Sequence, residues 1–408
     1  MAAPIVVVGG GPAGSAAAWG LARAGREVIL CDRAAFPRAK PCAEYLSPQA
    51  ARSLAEMGVL ETVERAGAAR LHGMRITAPN GIAFSGAFAA AHGFRGFRDH
   101  GLALPRERLD AILLDAARAA GVTVRERTMV TALTRDTTGA VVGVETRADD
   151  GTTTRLDASL VIGADGLRSV VARRAGLAAH RRWPRRIAFV AHYEGVDAIS
   201  DVGEMHVTAR GYLGLADVGG GRTNVALVVP AALAGEAAGD AAGFLDRWIA
   251  AHAALAPRFR GAQRVTPVQT TGPFASHARC AWAPGVALVG DAADFFDPFT
   301  GEGIYAALRG AELLVPYAFA ATADTAREAA EALAAYDRCR RDAFAGKWRV
   351  ERLVGTAVAF PALMNGAARL LARRRAYADL LIGVTGDFVP AGALLRPRAL
   401  RSLLTSAP

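Results

Sequence analysis

Residues 4–14, Pro-Ile-Val-Val-Val-Gly-Gly-Gly-Pro-Ala-Gly, constrain this chain more than any other stretch. A short apolar run ends in glycines, and an Ala-rich helical pattern follows over 12–24. A strand that runs into Gly-x-Gly-x-x-Gly (Gly9, Gly11, Gly14) and then a helix opens a parallel α/β sheet. Glycine at these places allows a tight turn and lets the backbone approach a pyrophosphate. The anion then sits on the N–H groups and positive dipole end of the helix. The next strand, 27–32, ends in Asp32, about 20 residues beyond the glycines, where a carboxylate can accept both hydroxyls of an adenosine ribose. An acid there fits FAD or NAD rather than a 2′-phosphorylated dinucleotide.

Two further stretches repeat the theme. Val161-Ile-Gly-Ala-Asp165-Gly-Leu-Arg-Ser169 reads as a buried strand, a turn with an acid, and a helix; Asp165 is either a ligand or a plain helix cap. Val286-Ala-Leu-Val-Gly290-Asp291 delivers a second acid at the carboxyl edge of a strand, where open α/β sheets bind ligands. A loop, Asp297-Pro-Phe-Thr-Gly-Glu-Gly303, then opens a helix over 303–320, whose N–H groups can stabilise negative charge.

The strands and helices alternate at both ends of the chain, around an antiparallel middle. The expected class is therefore α/β (α+β). A discontinuous Rossmann-like nucleotide domain is expected from 1–72, 98–179 and 276–324. A mostly antiparallel substrate domain is expected from 73–97 and 180–275, and a helical region over 325–408. The composition, 52% hydrophobic and 21% charged in 408 residues, supplies a sizeable core and excludes disorder. Four cysteines exclude a disulfide-stapled domain, and no Cys-x2-Cys or His-x3-His spacing points to a metal. The start has no signal-peptide pattern and no stretch reads as a membrane span, so a cytoplasmic protein is expected. The net charge is +10, and lysine occurs only at Lys40 and Lys347, so nearly all of the 48 cations are arginines. They are scattered, which argues against nucleic acid. The one dense patch, Arg369, Arg373, Arg374 and Arg375, reads as a solvated helix face or as a peripheral contact with an anionic membrane or acidic partner.

Taken together, the three glycine-acid stretches resemble the FAD-dependent enzymes of the para-hydroxybenzoate hydroxylase fold. That superfamily includes aromatic hydroxylases, flavin halogenases and geranylgeranyl reductases. The resemblance implies that Gly9, Gly11, Ala13 and Gly14 meet the pyrophosphate. It also implies that Asp32 holds the ribose with Arg33 beside it, that Arg106 reaches the cofactor, and that Val130 meets adenine through its backbone. Asp291 is implied for the ribityl chain, and Pro298, Gly301, Gly303 and Ile304 for the flavin's pyrimidine edge. The loop Lys40-Pro-Cys42-Ala-Glu-Tyr-Leu46-Ser-Pro48 is similar to the geranylgeranyl reductase branch. Ala43 replaces that branch's glycine, however, and Tyr212-Leu-Gly-Leu-Ala-Asp217 replaces its Tyr-x-Trp-x-Phe-Pro. The halogenase Trp-x-Trp-x-Ile-Pro motif is missing, and Ala78-Pro-Asn80 stands where halogenases carry a lysine.

On these departures the first expectation is a monooxygenase. It would use NAD(P)H and O2 through a flavin C4a-hydroperoxide to hydroxylate an aromatic or polyketide-like compound, in a site shielded by Phe295, Phe296 and Phe299. The alternatives are an FAD-dependent C=C reductase and a non-catalytic binding protein on the same fold. Cys42, His206 and Tyr212 are the candidate catalytic residues. Each has an ordinary packing reading beside the chemical one, as has His192. The expected partner is a small aromatic or lipophilic substrate, and the expected assembly a monomer or homodimer.

Overall fold

The computed structural model describes residues 3–90, 93–180, 185–274, 276–322 and 325–404. The expected domain junctions at 275 and 324 fall outside the described residues. Ile5–Val8, Val28–Cys31 and Leu160–Gly163 are apolar nearly throughout, and such strands are stable only when covered on both faces. They lie side by side and parallel, with Val286–Leu288 beyond Leu160–Gly163 and Thr123–Arg125 beyond Val28–Cys31. The helices Pro12–Arg23, Arg106–Ala119 and Gly303–Ala321 cover one face, packed side by side. Gly14 explains how the first helix comes so close: a Cβ there would lie 1.8 Å from the Gly9 carbonyl oxygen.

Thr128–Arg135, Val141–Ala148 and Thr153–Asp157 form an antiparallel meander that packs on the other face of the parallel sheet. Its turns pass through Gly139 and Gly151, both at positive φ, which glycine adopts without strain. The second large sheet runs in the order Gln263–Arg264, Arg186–Glu194, Arg222–Pro230, Gly211–Asp217, Gly203–Thr208, Gly73–Thr77, Ala83–Ala87. It is antiparallel except where Gly203–Thr208 meets Gly73–Thr77 in parallel. One face packs on the helix Ala241–Ala250, whose Phe244, Leu245 and Ile249 are buried in a local apolar cluster. The other face looks toward the nucleotide domain.

The C-terminal helices are more than an appendix. Ala326–Ala359 packs along Gly303–Ala321, and Arg375–Thr385 packs on the edge strand Ala83–Ala87. The tail shares one buried apolar cluster with the second sheet, including Tyr212, Phe299, Met364, Ala368 and Leu371. Without these helices that end of the sheet would face water.

Candidate active site

The Gly11 end of the cleft is built to hold an anion. No side chain caps the helix Pro12–Arg23 at Gly11. A Cβ on Gly11 would lie 3.7 Å from the guanidinium groups of both Arg38 and Arg106, with nothing nearer. Arg106 is held by two bonds to Asp110, each 2.7 Å, and Arg38 reaches the same carboxylate at 2.8 Å. Lys40 faces this cluster. Burial, with Arg106 beside it, pulls its pKa down. Three cations thus surround the two carboxylates Asp110 and Asp291, leaving positive charge for a phosphate group. Burial pushes the Asp291 carboxyl up, against the pull of Lys40 and Arg106. Such a site favours a hydroxyl-bearing neighbour over an isolated charge.

Asp32 is buried and folds the turn: its carboxylate accepts the Gly10 N–H at 2.7 Å and the Ala34 N–H at 2.8 Å. Each oxygen keeps a further lone pair for a ribose hydroxyl. Arg33 beside it is exposed. Val130 is buried in the meander strand, which begins where the Thr128 N–H meets the Asp32 carbonyl. Gly9 and Gly14 serve the packing, since a Cβ on Gly9 would lie 2.6 Å from the Ala164 oxygen. Asp165 takes its plainer reading: it accepts the Val170 N–H at 2.6 Å and so helps cap the helix Val170–Arg174.

From Gly11, Pro12 and Ala13 one continuous cleft of about 1410 Å³, partly open to solvent, runs past Arg106 and Asp291 to Pro298, Gly301, Gly303 and Ile304. Gly301 needs its positive φ of 72°, and a Cβ there would press on the Tyr45 ring at 2.9 Å. Beyond this loop the cleft continues into an apolar chamber against the second sheet. Met74, Met205, Val190, Val228, Phe274 and Phe299 are among its walls. Gly214 and Ala216, which carry no large side chain, also line it.

Cys42 lines the cleft beside Arg106. Its position depends on a residue that the sequence reading missed. Glu44 sits at φ 61°, is buried, and bonds in three directions. Its carboxylate accepts the Arg106 N–H at 2.9 Å and the Asn224 amide at 3.0 Å, and it meets His192 Nε2 at 2.6 Å. The Asn224 amide also donates to the Cys42 carbonyl at 2.9 Å, and the Glu44 N–H to the Cys42 sulfur at 3.3 Å. The loop is thereby stitched to the helix on one side and to the second sheet on the other. The only sequence sign was a lone acid in the loop from Lys40 to Pro48. His192 belongs to this brace.

The other catalytic candidates fare differently. His206 is a correction. Met205 takes the chamber side of its strand, so His206 points to the opposite face. There it bonds Glu204 at 2.9 Å and packs edge-on against His252. Tyr212 does line the chamber, with its ring set edge-on to Phe299. Its hydroxyl, however, donates to Asp297 at 2.7 Å, and Asp297 also pairs with the buried Arg186. Burial, with Asp297 beside it, raises the Tyr212 pKa well above the ordinary phenol range, so it stays protonated. Glu302, at the start of the helix Gly303–Ala321, is paired with Lys347, which also bonds Asp387 at 2.8 Å. This buried cluster backs the cleft, and its Glu351 is raised by burial to about 7.

The residues present fit an FAD molecule: an uncapped helix start, an excess of cations, and one continuous cleft from Gly11 to the Gly301–Ile304 loop. The family description "FAD binding domain" matches residues 2–349. The chain belongs to that family. It is an FAD-dependent oxidoreductase. The digeranylgeranylglycerophospholipid reductase 2 of Methanopyrus kandleri is 33% identical over 311 residues, 74% of either chain. The menaquinone reductase of Mycobacterium tuberculosis is 28% identical over 419 aligned positions, covering 95% of this chain and 91% of the relative. Among solved structures, the flavin-dependent halogenase CmlS superposes with TM-score 0.74 at 26% identity, covering 85% of this chain and 63% of its own. Among the described residues no single helix is long and apolar enough to cross a membrane, and no group of three metal-ligating side chains occurs.

Proposed function

We propose that this protein reduces a carbon–carbon double bond in a lipophilic substrate, with NAD(P)H as the source of electrons. The observation that carries this reading is the chamber. It is walled by Met, Val and Phe and lies beside the Cys42 loop, and Tyr212 is already engaged by Asp297. Such a space suits a long apolar chain better than a small polar ring. The relatives' names support it, since they are reductases of a digeranylgeranylglycerophospholipid and of menaquinone.

When bound, FAD supplies the hydride that the reduction needs. This chain's own residues do the rest. The helix start at Gly11 with Arg38, Lys40 and Arg106 takes the phosphates. Glu44 and Asn224 hold the Cys42 loop against the chamber, and Phe274, Phe295 and Phe299 keep water from the reacting end. The Cys42 thiol, which lines the cleft beside Arg106, is the group we assign to deliver a proton to the product.

Oxygen insertion is the second reading. It is favoured by the same aromatic closure, which protects any reactive oxygen species from water. Anaerobic incubation of holoprotein with NAD(P)H and a polyprenyl lipid, followed by mass spectrometry, separates the two. A product two mass units heavier (two hydrogens) formed without oxygen supports reduction. A product that forms only under air and carries label from 18O2 refutes it.

A further inference from the structure

The outer face of the C-terminal helices carries a surface that the redox chemistry does not use. The helices Ala326–Ala359 and Pro361–Leu371 meet at a bend of 112°. Phe360 stands at the corner, 51% exposed, with Leu353, Leu363 and Leu370 at 69%, 55% and 43%. The helix Pro361–Leu371 buries Met364, Ala368 and Leu371, so its opposite stripe presents Leu363, Gly366 and Leu370. Arg369 and Arg373 are exposed beside that stripe. No Asp or Glu occurs anywhere from Arg352 to Ala378.

A single exposed leucine is ordinary. Several large apolar side chains around one short helix, rimmed by arginines and free of acids, are not. We propose that this face docks on the surface of an anionic lipid bilayer. Phe360, Leu363 and Leu370 would enter the boundary between headgroups and acyl chains, and Arg369 and Arg373 would meet lipid phosphates. Charge decides against a second copy of the chain. A two-fold contact sets the same patch against itself, and this patch has arginines but no acids to answer them. The inner side of the same helix belongs to the apolar cluster that includes Tyr212 and Phe299 of the chamber wall. A docked molecule therefore holds its chamber close to the bilayer. That benefit rests on the proposed lipophilic substrate, but the docking surface itself does not.

The test is flotation of holoprotein with vesicles of phosphatidylcholine alone and of phosphatidylcholine with about one third phosphatidylglycerol. Binding is expected to the mixed vesicles, to be much weaker without the anionic lipid, and to fall with salt. Arg369→Gln with Arg373→Gln should weaken it about 25-fold at low salt, about fivefold for each arginine. Leu363→Ser with Leu370→Ser should weaken it at least about tenfold. Arg155→Gln, on the outer meander, should leave it unchanged. Retained flavin absorbance and circular dichroism confirm that each variant is folded. Absence of vesicle binding, equal binding to both vesicle types, or binding unchanged in both double variants overturns the proposal. So does a dimer in light scattering that the leucine variants dissociate, because the face would then pair two copies. None of these readouts needs turnover, so docking can stand while the proposed reduction fails, or fail while it stands.

Discussion

Replacing Glu44 with alanine should do more harm than any other single change in the flavin loop. The substitution removes the acceptor of two buried donors, the Arg106 N–H and the Asn224 amide, along with the His192 contact. Each buried donor left without a partner costs about 1–3 kcal/mol, so the expected loss is about 2–6 kcal/mol. That is a large part of the 5–15 kcal/mol by which a protein of this kind is typically stable. Two companion variants separate the causes. Glu44 stands at φ 61°, so Glu44→Gly loses the same bonds but relieves the backbone, and should recover roughly 0.5–1 kcal/mol relative to alanine. Glu44→Gln keeps an oxygen for the Arg106 N–H but turns an amide toward the donor of Asn224, so it should lie between wild type and alanine. The assay is urea titration of holoprotein, following flavin fluorescence on release and tryptophan emission on unfolding. The loop and the second sheet should separate early in Glu44→Ala, with flavin released before the bulk of the protein unfolds. If Glu44→Ala stays within about 1 kcal/mol of wild type and holds flavin equally well, the brace is not what positions the Cys42 loop.

Gly14→Ala should abolish flavin retention in the purified protein, because the added Cβ would lie 1.8 Å from the Gly9 carbonyl and force the helix off the strand; absorbance near the flavin bands checks this. Burial alone would raise Glu204, but its bonds to His206 and Arg258 prevail and hold it at about 2 rather than 4.5. Its stabilisation is therefore fully present above pH 4.5 and lost as pH falls toward 2. At about 1.4 kcal/mol per pH unit it amounts to roughly 3 kcal/mol, so Glu204→Gln should flatten that part of an acid-denaturation curve. Tyr212→Phe should cost about 1 kcal/mol in thermal or urea unfolding while leaving most of the turnover, since its hydroxyl serves Asp297; a thousandfold fall in kcat would instead make it a proton donor. Cys42→Ser should lower kcat with KM little changed and alter its pH profile, whereas a purely structural Cys42 would leave the profile alone.

The parts of this protein that follow from local chemistry were readable along the chain. A strand, a glycine turn and a helix form a phosphate cradle by backbone geometry alone, so Gly9, Gly11 and Gly14 announced themselves. Asp32 and Asp291 were placed by their positions at strand ends. What the chain order could not reveal was the set of contacts between residues distant in sequence. Glu44 looked like any loop acid until folding brought His192 and Asn224 to it. His206 looked chemical until strand pairing turned it toward His252, and Tyr212 until Asp297 claimed its hydroxyl. The arginine patch acquired a direction only when the inner stripe of its helix was buried and the outer stripe left bare. Local sequence decides which backbone forms are cheap, but burial and pairing are properties of three-dimensional neighbours, and those exist only once the chain has closed on itself.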